Sequence, residues 1–353
     1  MPPVRHPQRR TARHKRAVEI WLAQPRGVCA GVSRAIQIVE RALEAHGAPV
    51  YVFHEIVHNR FVVRDLEQRG VIFVNSIAEI PIGAITIFSA HGVSTAVRDQ
   101  SADQGLRVID ATCPMVTKVH LQAQRYARLG YQVVVVGHHG HEEVEGTVGS
   151  VGAPAHVVAT PAQVEQLPIA PTARVAYVTQ TTLGLDDTRE VIAALRRRWP
   201  DICGPELSAI CFATHNRQLA VRSLAARVDV VLVLGAGNSS NSNRLREVAE
   251  QCGRPAYLID DATQLCTSWV AGCRRVGITA GASVPEVLVT QLCERLLQLG
   301  ARGVHQADGP IENVVFRLPE IVPPEPVTRY LPVPSRPLNE RLLSRLQLHG
   351  GRL

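Results

Sequence analysis

Six short runs of Val, Ile, Leu and aromatic residues recur along the chain, and each stops at a polar cluster. They are VYVFHEIV, AITIFSAHG, YQVVVVG, RVAYVTQTT, DVVLVLG and RRVGITAGAS. Apolar runs of this length, bounded by Gly and polar residues, read as buried strands. Amphipathic stretches of helical length lie between them: SRAIQIVERALEAHG, MVTKVHLQAQRYARLG and NRQLAVRSLAARV. Strands alternating with helices predict parallel βαβ units, and so an α/β fold. The stretch 150–172 is looser and Pro-rich, and reads as a surface connection.

The pattern has a long period. Three times a strand and loop lead to a cysteine, then a helix, then two strands with polar ends. The cysteines are Cys29, Cys113 and Cys211. His58 follows the first by 29 positions, His141 the second by 28, and Asn241 the third by 30. The second strands end at His91, Thr181 and Ser283, which follow by 62, 68 and 72. In open parallel sheets, ligands sit beyond the carboxyl ends of the strands. If three such units surround one axis, all nine positions converge on one pocket. The competing reading is coincidence among ordinary βα loops.

This period divides the chain. Residues 1–17 form a basic arm, expected to be disordered. Units of α/β type span 18–112 (Cys29, His58, His91), 113–208 (Cys113, His141, Thr181) and 209–320 (Cys211, Asn241, Ser283). Residues 321–353 form a Pro-rich tail, in which Leu338 to Leu348 suit a short amphipathic helix. The net charge of +7 belongs to the arm, because its six Arg and Lys residues have no acidic partner and their removal leaves +1. A nucleic-acid-binding role would therefore rest on the arm alone, and is disfavoured. No run approaches the length of a membrane span, and no signal peptide is visible. The expected compartment is the cytoplasm, where eight cysteines argue for metal binding or burial rather than disulfides.

Thiolates are soft ligands suited to zinc or iron–sulfur clusters. No CxxC pair announces structural zinc. Three cysteines assembled by the fold would leave one iron of a [4Fe–4S] cluster open to act as a Lewis acid and pass electrons. Cys203, Cys252, Cys266, Cys273 and Cys293 lack the strand–Cys–helix context and read as buried thiols.

The polar ends suit an anion. Ser239, Ser240, Asn241 and Asn243 stand where a helix begins, and helix N-termini favour phosphate. Ser94 and Ser283 repeat that design, and His58 and His91 offer charge-assisted bonds. Each Ser or Asn taken alone reads as a helix cap. The segment HHGHEEVEGT carries three histidines and three acids. Read as extended chain, it points His141, Glu143 and Glu145 to one side and Glu142 to the other. A Glu held near negative charge has a raised pKa and suits proton donation. The alternative is a zinc-dependent hydrolase using loop 138–145, with His138, His139, His141 and the acids as ligands.

The segments PRGVCAGVSRAI, HEIVHNR, FSAHGVS, DATCPMVTKVH, GHHGHEEVEGT, TQTTLGLDDT, CFATHNRQ, GAGNSSNSNRL and TAGAS resemble the 4-hydroxy-3-methylbut-2-enyl diphosphate reductase family. The resemblance runs in order over about residues 18–318. It implies a pseudo-threefold trefoil of three parallel-sheet α/β units around a central [4Fe–4S] iron–sulfur cluster. It implies reductive dehydroxylation of an allylic diphosphate to isopentenyl and dimethylallyl diphosphates, with ferredoxin or flavodoxin as electron donor. Carried over by position, Cys29, Cys113 and Cys211 match the cluster ligands. His58, His91, Ser239, Ser240, Asn241 and Ser283 match the diphosphate cradle. His141 and Thr181 match residues near the substrate hydroxyl, and Glu143 matches the acid of the proton relay. The chain departs from the family pattern at His139, where a small residue is usual, and at Glu142, where proline is common.

Overall fold

The computed structural model describes residues 18–206 and 211–319. The predicted arm and the predicted tail helix lie outside them. The first elements are β1 (Glu19–Leu22), α1 (Ala30–His46), β2 (Val50–Phe53), α2 (Arg60–Gln68), β3 (Val71–Val74), β4 (Ile85–Phe88), α3 (Thr95–Asp103) and β5 (Arg107–Asp110). The middle of the chain forms α4 (Pro114–Arg128), β6 (Gln132–Val136), α5 (Glu142–Ser150), β7 (Ala155–Val158), α6 (Pro161–Glu165), β8 (Val175–Thr179) and α7 (Leu185–Arg198). The last part forms α8 (Phe212–Ala225), β9 (Val230–Leu234), α9 (Ser240–Gln251), β10 (Ala256–Ile259), α10 (Thr267–Val270), β11 (Arg275–Ala280), α11 (Glu286–Gln298) and β12 (Val304–Gln306).

Three parallel sheets result, with strand orders β3-β2-β4-β5, β7-β6-β8 and β10-β9-β11-β1-β12. The first three strands repeat from sheet to sheet. The fourth place is taken by β5, by a bridge from Cys203 to Ala176, and by β1. Each fourth strand then leads to a cysteine of the next unit. The repeat is therefore cyclic, and the first strand of the chain completes the last sheet. This differs from the division read from sequence, which assigned β1 to the unit beginning at residue 18. Spacing along the chain cannot reveal that swap, because pairing depends on which edge a strand meets. The stretch 150–172 also differs from expectation. It holds β7, paired in register with β6, and α6, whose Thr160 and Gln163 form a capping box.

The central strands β2, β4, β8 and β9 are almost wholly buried because helices cover both faces. All five residues of β9 are buried. On α1, Ala35, Ile38, Val39 and Ala42 line one side at helical spacing and pack on β2 and β4. Each such aliphatic side chain contributes about 1.5–3 kcal/mol when fully buried. Of the five cysteines expected to be buried, Cys293 is, and Cys203 and Cys273 are half-buried. Cys252 and Cys266 are exposed, because the first ends α9 and the second starts the short surface helix α10. Among the described residues, no helix is long and apolar enough to cross a membrane.

One buried cation joins the units. Arg217 on α8 is 1% exposed and gives Nε and Nη2 to the Gly27 carbonyl, at 3.0 and 2.8 Å. Its Nη1 donates to the Ala213 carbonyl at 2.9 Å and to Glu312 at 3.0 Å. The loop before Cys29 and the helix after Cys211 are thereby tied together. Removing one partner of a buried pair leaves an uncompensated charge. Glu312→Ala is expected to lose about 3 kcal/mol or more in urea unfolding. A loss within measurement error would show that Arg217 finds its counter-charge elsewhere.

Candidate active site

Cys29, Cys113 and Cys211 occupy equivalent places, immediately before α1, α4 and α8. The sulfurs stay at the helix N-termini, where the N–H groups of Met115 and Val116 face Cys113 and those of Ala213 and Thr214 face Cys211. Two of the loops are held alike. Cys29 N–H donates to the Ala282 carbonyl and Cys113 N–H to the Ala90 carbonyl, both at 3.0 Å. The next residues, Ser283 and His91, are two of the predicted cradle residues. The backbone thus sets each cysteine against the polar end of a neighbouring strand.

The sulfurs converge. A Cβ placed on Gly31 would lie 2.5 Å from Cys113 Sγ and 3.9 Å from Cys29 Sγ. Only a residue without a side chain leaves room for both. Burial, then the neighbouring Cys29, pushes the Cys113 thiol up to about 12 and the Cys211 thiol to about 11. Cys113 and Cys211, held as thiols by desolvation and by the neighbouring sulfur, need a cation to ionise. Three positive helix ends aimed at them favour an anionic sulfur cluster. The donor set therefore fits a metal centre with soft ligands.

Beside the sulfurs lies a carboxyl group. Glu143 is 2% exposed. Its Oε1 accepts from Thr181 N–H at 2.6 Å and its Oε2 from the Thr181 hydroxyl at 2.9 Å. Burial pushes the group up to about 7, against the pull of those two bonds and of His58. Its proton can thus be given or taken near neutral pH. His141, just before α5, accepts the Glu143 N–H on Nδ1 at 3.2 Å. The ring proton is therefore on Nε2. Burial, then His91 and His58, holds this ring down at about 3, so it stays neutral.

The extended reading of HHGHEEVEGT fails, because α5 begins at Glu142. On a helix, successive side chains diverge by about 100°. Glu143 reaches Thr181, Glu142 turns to His91 at 2.9 Å, and Glu145 is exposed. Nor does the loop build the zinc site weighed above, since His138 and His139 are exposed. Among the described residues, the gathered group of three metal-type ligands is His58, His91 and Glu142, within 4.8 Å of one another. It draws one residue from this loop.

The other predicted residues sit around the same opening. His58 and His91 stack with ring centroids 4.2 Å apart, and His141 meets both edge-on at 5.8 and 6.1 Å. Ser239 caps α9, and its hydroxyl accepts from Ser242 N–H. Ser240 Oγ lies 3.0 Å from Thr182 Oγ1. Asn241 accepts the Ala282 N–H on Oδ1 at 2.9 Å, while its buried Nδ2 has no partner among the described residues. Ser283 donates to the His58 carbonyl at 2.9 Å. A Cβ on Gly281 would lie 2.1 Å from Ser242 Oγ, so α9 docks closely on the end of β11. An orphaned donor, a helix N-terminus and stacked imidazoles on one opening suit an anion.

Ser94 and Asn243 play smaller parts. Ser94 caps α3, and Asn243 bonds the Gly237 and Ser239 carbonyls. Sequence reasoning missed Glu55, which holds His58 at 3.2 Å and Asn238 at 3.0 Å. It also missed Gln180 and Thr182, which join the second unit to Ser240. The signal was present in TQTTLG, next to Thr181, but nothing in the order of residues marks a partner about 60 positions away.

The family model described as LytB protein matches residues 20–297. A 4-hydroxy-3-methylbut-2-enyl diphosphate reductase of Azoarcus sp. (strain BH72) is 55% identical over 302 residues, covering 86% of this chain and 97% of its own. The enzyme of that name from Aromatoleum aromaticum is 56% identical over 301 residues, covering 85% and 96%. In three dimensions the chain is similar to the E-1-hydroxy-2-methyl-but-2-enyl-4-diphosphate reductase of Plasmodium falciparum. The TM-score is 0.82 at 34% identity, over 87% of this chain and 96% of the other.

The Thr181 hydroxyl favours the ionised form of Glu143, so its loss must raise the pKa. Thr181→Val is expected to move the protonation midpoint of Glu143 to higher pH, followed by its infrared carboxyl band. An unmoved midpoint would show that the hydroxyl does not hold the carboxylate.

Proposed function

The chain belongs to the LytB family, the 4-hydroxy-3-methylbut-2-enyl diphosphate reductases, and on that premise we propose how its own residues carry the reaction. The enzyme reduces (E)-4-hydroxy-3-methylbut-2-enyl diphosphate to isopentenyl and dimethylallyl diphosphates. Two electrons and two protons enter, and the hydroxyl leaves as water. This is the terminal step of the non-mevalonate pathway, as in a structural neighbour of 34% identity and TM-score 0.58.

Cys29, Cys113 and Cys211 would hold one [4Fe–4S] cluster by three thiolates. When bound, such a cluster supplies electrons one at a time and a Lewis-acidic iron beside the leaving hydroxyl. A ferredoxin- or flavodoxin-type protein in the cytoplasm delivers the electrons. The diphosphate lies in the cradle of His58, His91, Ser239, Ser240, Asn241 and Ser283. The unpartnered Asn241 Nδ2 donates to a phosphoryl oxygen, and so do N–H groups at the start of α9. Anchoring that end orients the hydroxyl at the other, toward Thr181 and His141. His141 offers its Nε2–H as a neutral donor. Once protonated, Glu143 donates to the Thr181 hydroxyl, which turns its own proton to the leaving hydroxyl so that water departs; the two groups already lie 2.9 Å apart.

The observation that carries this reading is the Glu143 carboxyl, lifted to about 7 by burial while bonded twice to Thr181. An acid whose pKa lies near the working pH gives a proton and regains it with the least cost. Glu143→Gln should fold, retain its iron and sulfide, and lose turnover by about 10²–10⁴-fold. Normal turnover in that variant would end the relay assignment. Cys113→Ser should lose iron and acid-labile sulfide, together with the electron paramagnetic resonance signal of the reduced protein. An unchanged iron and sulfide content would remove Cys113 from the ligand set.

A further inference from the structure

The two stacked imidazoles of the cradle are each backed by a carboxylate. His58 Nδ1 lies 3.2 Å from Glu55, and His91 Nδ1 lies 2.9 Å from Glu142. A carboxylate only accepts, so each Nδ1 carries a proton, and in a neutral ring Nε2 is then a bare lone pair. A lone pair cannot donate to a phosphoryl oxygen. Such a ring bonds a diphosphate only after taking a second proton. Burial, then His58, disfavours that charge on His91. His54 and His141 also face the ring, and Ser89 Oγ stands 3.4 Å from Nδ1. Against these, the Glu142 carboxylate is the opposing charge, and it is itself held ionised by the bond from His91.

The backbone does not require an acid at this place. Glu142 is the first residue of α5, where the N–H needs no helical partner and even proline is accepted. An acid there suits the helix dipole. That role alone would not turn the side chain onto a ring of another sheet.

We propose that Glu142 is a positioning residue that makes diphosphate binding proton-linked. Its carboxylate stands 2.9 Å from Nδ1 of His91 as a counter-charge, and the ring takes one proton from solvent at Nε2 as the diphosphate arrives. The resulting imidazolium lies between two anions, and each stabilises it. The inference rests on the diphosphate reading of the cradle given above.

Calorimetric titration with inorganic diphosphate tests it, using the anaerobically purified protein in two buffers of different ionisation enthalpy. The comparison includes Glu142→Gln, whose amide oxygen still accepts Nδ1–H, and Glu142→Pro, which keeps the helix start. The ionisation of the ligand itself cancels between proteins. The natural chain should take up more protons per diphosphate than either variant. Its affinity should fall with rising pH more steeply than theirs, by up to about tenfold per pH unit above neutrality where one full proton is involved. Equal proton counts and parallel pH profiles would overturn the role of Glu142 and leave the cradle intact. A helix-dipole role would give that result, because it does not alter proton uptake. No binding of diphosphate by the natural chain would instead remove the cradle reading, and this inference with it.

Discussion

Parallel pairing that passes from unit to unit is the constraint on which the site depends. Each cysteine follows a chain segment that completes a neighbouring unit's sheet. β5 takes the fourth place in the first sheet before Cys113, the Cys203 bridge in the second before Cys211, and β1 in the third, with β12 beyond it, before Cys29. The ladder continues past two of these strands to the cysteine itself, through Cys113 N–H on the Ala90 carbonyl and Cys29 N–H on the Ala282 carbonyl. The adjoining His91 and Ser283 are two of the residues proposed to hold the diphosphate. Sulfur site and pocket are therefore set by one backbone framework, and neither can shift without the other.

The charges follow from that framework. Three helix N-termini meet around the thiols, and α9 adds a fourth beside Asn241. A centre lined with partial positive charge favours anions. It also explains how adjacent glutamates part in behaviour. Glu143 is buried against Thr181 and is raised to about 7. Burial raises Glu142 as well, but the bond from His91 and the nearby His58 and His54 outweigh it and keep it ionised. One helical step separates a carboxyl that titrates near neutral pH from one held ionised.

Much of this was legible in the order of residues. The strands, the helices after each cysteine and the nine strand-end positions follow from apolar runs, polar stops and a common spacing. Other features were not. The residues around Glu142 and Glu143 carry no apolar stripe, so nothing local distinguishes an extended loop from the start of a helix. The helix forms because Val144, Gly146 and Thr147 bury against neighbouring elements. Cys252 and Cys266 read as buried because cysteine usually is, whereas their places at helix ends leave them exposed.

Composition and period alone determined that this chain folds as repeated parallel α/β units presenting thiols and polar groups at strand ends. Those properties reside in runs of a few residues and in their intervals. Tertiary structure alone decided that β1 belongs with β11 and β12, that Glu142 faces His91, and that Glu143 is the carboxyl sealed against Thr181. The reason is physical. Strand partners, ion pairs and desolvation depend on groups brought together from distant parts of the chain, and their energies exist only once the packing is complete.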